Sequence, residues 1–160
     1  MRLVIADTSP IFYLLSIGHI ELLPRLFTKV FVSDAVHKEL CYPKAPQALR
    51  EWIAERPLWL EVISIDVIDD DALRPLGDER AAITMALSMH ADLILIDECK
   101  GTSVALSKGF EVTGTLGILR LAAKDGLIDI AVALAKLKQT NFRYRQEMID
   151  DLLNEFPAKT

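Results

Sequence analysis

Four short apolar runs recur along the chain: RLVIA at 2–6, KVFV at 29–32, LEVISI at 60–65 and DLILI at 92–96. Each is rich in Val, Ile and Leu and bounded by polar residues, the pattern of a strand buried on both faces. Between them apolar residues return every three or four positions. That period predicts helices over 10–26, 34–41, 45–55 and 79–90, then 99–108, 115–124, 128–138 and 142–155. A fifth strand is expected over 110–112, after a helix stop at Gly109. Pro43 and Pro46 break the chain after Leu40, and Pro57 ends the next helix. The stretch 66–77 is acidic and aperiodic, and reads as a surface loop. Strands alternating with helices imply right-handed crossovers and an α/β fold, with a mostly parallel sheet covered on both sides.

A length of 160 residues with 51% hydrophobic content suffices for one full core, so a single domain over 1–156 with a flexible tail at 157–160 is expected. No apolar run approaches the roughly 18 residues that span a bilayer, and the start lacks a signal-type leader. The expectation is a soluble, cytoplasmic protein with no membrane partner. Cys41 and Cys99 form no CxxC pair and have no histidines at metal-ligand spacing, which points to reduced, partly buried thiols. A net charge of -5 opposes non-specific attraction to nucleic acid. It does not exclude a nuclease, because carboxylates that gather cations also make a chain acidic.

In a parallel sheet, ligands collect at the carboxyl ends of the strands, where strand order reverses. Asp7 ends the first strand, in LVIADTSPIF, and Asp97 and Glu98 end DLILIDE. Helices supply two more acids. In GDERAAITMALSMH, Glu79 shares its stripe with Ala82, Ile83 and Ala86, while Arg80 and Thr84 fall on the outward side and Asp78 occupies the N-cap position. In SDAVHKELCYP, Glu39 follows Val36 by three and adjoins Leu40, which turns it along the inner face. Taken singly, each acid has a plain structural role: Asp7 as a turn or cap residue, Asp97 and Glu98 as caps of the helix starting near Cys99. Together they crowd one crevice, where repulsion is costly without a cation, and oxygen ligands of this kind suit Mg2+ or Mn2+. Such a centre serves phosphoryl chemistry. His19, His37 and His90 lie on unrelated segments, so no Ser-His-Asp or Cys-His arrangement forms, and they are expected to face solvent or cap helices.

The acids at 7, 39, 79 and 97, joined to GTLGIL at 114–119, make the chain resemble PIN-domain proteins, in particular the VapC-type toxins of VapBC toxin-antitoxin pairs. The matching stretches cover most of positions 3–128. The resemblance implies a three-layer α/β/α sandwich and an endoribonuclease dependent on Mg2+ or Mn2+. It assigns Asp7, Glu39, Glu79 and Asp97 as the acidic quartet, with Glu98 as an additional ligand or a water-holding neighbour. Ser9 matches a position that bonds a metal-bound water or fixes Asp7; Thr8 and Ser9 equally suit helix capping ahead of Pro10. Thr115 opens its helix with its hydroxyl toward the crevice. Thr102 stands where related sequences often carry a basic residue, and Lys100 is the substitute.

The implied partners are RNA, a small antitoxin protein and a second copy of the chain as a homodimer. The apolar IFYLLSIGHIELL offers a patch for the antitoxin, or else splits near Gly18 into two helices packed on the sheet. In NFRYRQEMIDDLLNEF, Arg143, Tyr144 and Arg145 either touch RNA or belong to a packed last helix. A receiver-type phosphoacceptor does not draw acids from helix faces. A haloacid-dehalogenase-type phosphatase needs an Asp where Ser9 stands, and no GxGxxG or GxxxxGK[ST] follows a strand. The remaining rival is a PIN-like protein that binds without hydrolysing.

Overall fold

In the computed structural model, residues 2–64 and 79–157 are described. Five parallel strands form one sheet in the order β3-β2-β1-β4-β5, with β1 at Val4–Ala6, β2 at Val30–Ser33, β3 at Leu60–Ile63, β4 at Leu93–Leu95 and β5 at Glu111–Thr113. The chain lays down β1, β2 and β3 in one direction, then returns to the far side of β1 with β4 and β5. The order therefore reverses between β1 and β4, which opens a crevice at their carboxyl ends. Register there is fixed by Val4 opposite Leu93, Ile5 opposite Ile94 and Ala6 opposite Leu95.

Alternation along the strands divides the core into two layers. Val4, Ala6, Val30, Val32, Leu93 and Leu95 face the larger cluster, built with α1 (Thr8–Ser16), α2 (Leu22–Phe27), α3 (Asp34–Leu40), α4 (Gln47–Ala54), α7 (Thr115–Lys124), α8 (Ile130–Lys138) and α9 (Gln146–Glu155). Ile5, Ile94 and Ile96 face the smaller one, built with α5 (Glu79–Met89) and α6 (Cys99–Ser107). The result is a three-layer α/β/α sandwich around a sheet that is parallel throughout among the described residues.

Several expectations need correction. Of the two readings of 10–26, the split near Gly18 is the one found, because Gly18 takes φ +78 and turns the chain between α1 and α2, in place of one continuous helix. Both helices pack inward: Ile11, Leu14, Leu22 and Leu23 are buried, and Phe12, Tyr13 and Leu15 lie against the same cluster, so IFYLLSIGHIELL leaves no open patch. Only β1 and β4 are buried throughout; β2 leaves Phe31 partly exposed, and the edge strands β3 and β5 are largely half-buried, because each has a neighbour on one side. The last helix starts at Gln146 rather than 142. Thr84, expected outward, is fully buried, because α5 is packed against α3 and α6 as well as the sheet. Both thiols are free but exposed, Cys41 just past the end of α3 and Cys99 at the start of α6. The loop at 66–77 and the cap at Asp78 lie outside the described residues.

Candidate active site

The first acid arrives where the sheet delivers it. The Asp7 N–H continues the ladder by donating to Leu95 O at 2.9 Å, and the Ile96 N–H donates to Thr113 O at 3.1 Å. Asp7 and Asp97 therefore leave adjacent strands at the same edge, one residue out of step. Asp7 is only 5% exposed and its carboxylate does not cap α1. Burying a carboxylate there is costly unless donors or a cation receive it.

Asp97 is held on both oxygens by one residue. The Thr115 N–H donates to Oδ1 at 2.6 Å and Thr115 Oγ1 donates to Oδ2 at 2.6 Å. Asp97 thus serves the N-terminus of α7 rather than that of α6. Burial raises its carboxyl above the usual range, and the two Thr115 donors pull part of the way back. Gly114 makes this approach feasible: a Cβ at that position would stand 2.7 Å from Asp97 Oδ1 and 3.3 Å from Ile96 O. The hydroxyl of Thr115 is thereby turned to Asp97.

Glu39 enters from α3. Thr8 Oγ1 donates a hydrogen bond to Glu39 Oε2, so the residue after the first acid positions the second. Ser9 follows half-buried in the first turn of α1. Glu98 caps α6, its carboxylate accepting from the Gly101 N–H at 2.6 Å, and Lys100 is exposed on that helix. Glu79 opens α5, and its side chain lies outside the described residues.

A hard divalent cation fits this donor chemistry, since Asp7, Glu39 and Asp97 offer carboxylate oxygens backed by threonine hydroxyls, with no sulfur or imidazole among them. A cation would also return the Asp97 carboxyl toward its ordinary range. Among the described residues no three His, Cys, Asp or Glu side chains are gathered closely enough to hold an ion as they stand. The histidines stay apart from the crevice. His19 is half-buried, with its imidazole held below its usual value by burial and by Lys136; His37 lies on α3, and His90 is exposed beyond α5.

Tyr13 and Gly114 were not singled out from the pattern. Tyr13 donates its hydroxyl to Asn141 Oδ1 at 2.9 Å and stacks edge-on against Phe142, with ring centroids 5.0 Å apart. Its phenol is raised first by burial and then by the Asp97 charge, against which Arg143 acts. The 141–145 loop is thereby pinned near the acidic crevice. Gly114 stands directly before Thr115 in GTLGIL, and that adjacency was its only sequence signal.

A protein-family model described as a PIN domain matches residues 3–157. No curated protein matches the chain. No helix among the described residues is long and apolar enough to cross a membrane.

Proposed function

The chain belongs to the PIN-domain family, whose members are generally nucleases that use divalent metal ions, and from that premise we propose that it is an endoribonuclease working with Mg2+ or Mn2+. The observation that supports the reading is that Asp7 and Asp97 follow neighbouring strands at the β1–β4 reversal, with Glu39 hydrogen-bonded by Thr8. In this reading Asp7, Glu39, Glu79 and Asp97 hold the ion, and Glu98 stays with its helix while bordering the site. When bound, a divalent ion lowers the pKa of water and offsets phosphate charge. The chain's own side chains do the positioning: Thr115 bonds both Asp97 oxygens, Thr8 bonds Glu39, and in this reading Ser9 and Lys100 orient water or substrate phosphate. The role we assign is the toxin of a toxin-antitoxin pair, acting in the cytoplasm as a homodimer until a small antitoxin protein neutralises it.

The test is cleavage of single-stranded RNA by the purified chain with Mn2+ or Mg2+ against a chelated control. Asp7→Asn is expected to abolish cleavage while its circular dichroism and melting stay those of a folded protein. Equal cleavage by that variant overturns the proposal. So does a wild-type protein that cleaves no RNA with either metal.

A further inference from the structure

A cavity of about 640 Å³ adjoins the acidic site, sharing Asp97 with it. Residues of α6 and α7, of the 141–145 loop and of the start of α9 line it. Asp97, Arg143 and Arg145 are among them, as are the apolar Leu106, Tyr144 and Met148. These apolar groups are unusually open: Leu106 is 57% exposed, Met148 48% and Tyr144 39%. Among the described residues neither Arg143 nor Arg145 forms an ion pair. Two guanidinium groups without an ion pair among the described residues, flanking an exposed aromatic ring on a chain of net charge -5, leave a local positive edge that an anion can meet.

We propose that this cavity is a subsite for one unpaired RNA base, with Tyr144 as the stacking surface and Arg143 and Arg145 as contacts to the adjoining phosphates. The proposal rests on the ribonuclease reading and deepens it by naming what the enzyme grips next to the scissile bond. Its size is within the range that encloses a small organic ligand, and its mixed lining suits a heterocycle between charged oxygens. An aromatic side chain beside cations is the usual platform for single strands, because every base has a π face. The edge-on packing of Phe142 against Tyr13 anchors the loop, so the platform is fixed relative to Asp97.

The experiment measures binding of a fluorescein-labelled, unstructured RNA of about ten nucleotides to the full chain in chelator, where hydrolysis is stopped. Tyr144→Ala is expected to weaken binding about 5- to 150-fold, the measured range for loss of one stacked base, while Tyr144→Phe keeps wild-type affinity. Arg143→Ala with Arg145→Ala should make the slope of log affinity against log salt shallower by about 1.4, two single-strand phosphates lost. Three results overturn the subsite: unchanged affinity in a folded Tyr144→Ala, equal binding of the matching duplex, or variants that change only self-association of the chain. Wild-type binding without cleavage in Mn2+ overturns the nuclease reading alone and leaves the subsite standing. Cleavage that persists with no dependence on Tyr144 does the reverse.

Discussion

Replacing Gly114 by alanine tests how tightly the site is built. Its φ of -94 suits any residue, so the backbone is unstrained by the change and the effect must come from space. The new Cβ would stand 2.7 Å from Asp97 Oδ1, and because approaches under 3.0 Å are essentially never tolerated, something must give by at least about 0.3 Å. Neither side gives cheaply. The carboxylate is clamped by two bonds of 2.6 Å from Thr115, and the Gly114 carbonyl already accepts from the Ile118 N–H at 3.0 Å. Overpacking of this kind costs about 1–3 kcal/mol. Losing glycine at the N-cap of α7 adds a few tenths to about 1 kcal/mol, and the stiffer unfolded chain returns about 0.4–1 kcal/mol, so those two terms nearly cancel. The net expectation is a loss of about 1–3 kcal/mol, read as a melting point lower by about 2–12 °C. RNA cleavage in saturating Mn2+ should fall as well, because the displaced group is a proposed ligand. Gly117→Ala is the control: its Cβ meets the Thr113 Cγ2 methyl at 2.8 Å, but alanine inside α7 recovers about 1 kcal/mol of helix propensity. A Gly114→Ala protein as stable and active as wild type, or a Gly117→Ala protein hurt more, would refute the clamp as described.

Three further substitutions probe the same chemistry and one correction. Thr115→Val keeps the backbone donor to Asp97 and removes the hydroxyl one, so it should cost about 1.5–3 kcal/mol at neutral pH. It should also raise the Asp97 carboxyl further, moving the acid limb of the pH–rate profile upward; an unmoved limb counts against the assignment. Because burial already raises Asp97, its ionisation in the fold opposes stability: the contribution is fully present below the unfolded value of about 3.9 and lost as pH rises through the folded one. Metal-free Asp97→Asn is therefore expected to be more stable than wild type near neutrality, with the advantage closing below about pH 3.9, as urea midpoints across pH will report. A variant that is weaker at every pH would contradict this. Thr84 buries a hydroxyl with no hydrogen-bond partner among the described residues, so isosteric Thr84→Val should gain about 1–3 kcal/mol in chemical denaturation.

The chain's pattern by itself determined the alternation of strands and helices, the parallel sheet and the acids at the ends of its central strands. These were legible because burial is written as periodicity: Val4–Ala6 and Leu93–Leu95 are continuous apolar runs, as central parallel strands require, and a residue that follows such a run must emerge at the sheet edge. Local chemistry also marked its own boundaries, as at Gly109, where φ is +87 just beyond α6. Tertiary structure decided what no local window contains. Thr84 looks outward on an isolated helix and is buried because α3 and α6 close over it. Asp97 and Glu98 are equivalent neighbours in sequence, yet Glu98 caps α6 while Asp97 turns to Thr115, 18 residues onward, because β5 brings α7 to that edge. Arg143, Tyr144 and Arg145 acquire their place in the same way: the packing of Phe142 on Tyr13 and the Tyr13–Asn141 hydrogen bond hold a C-terminal loop to the side of Asp97, and contacts between distant segments leave no period in the sequence to read.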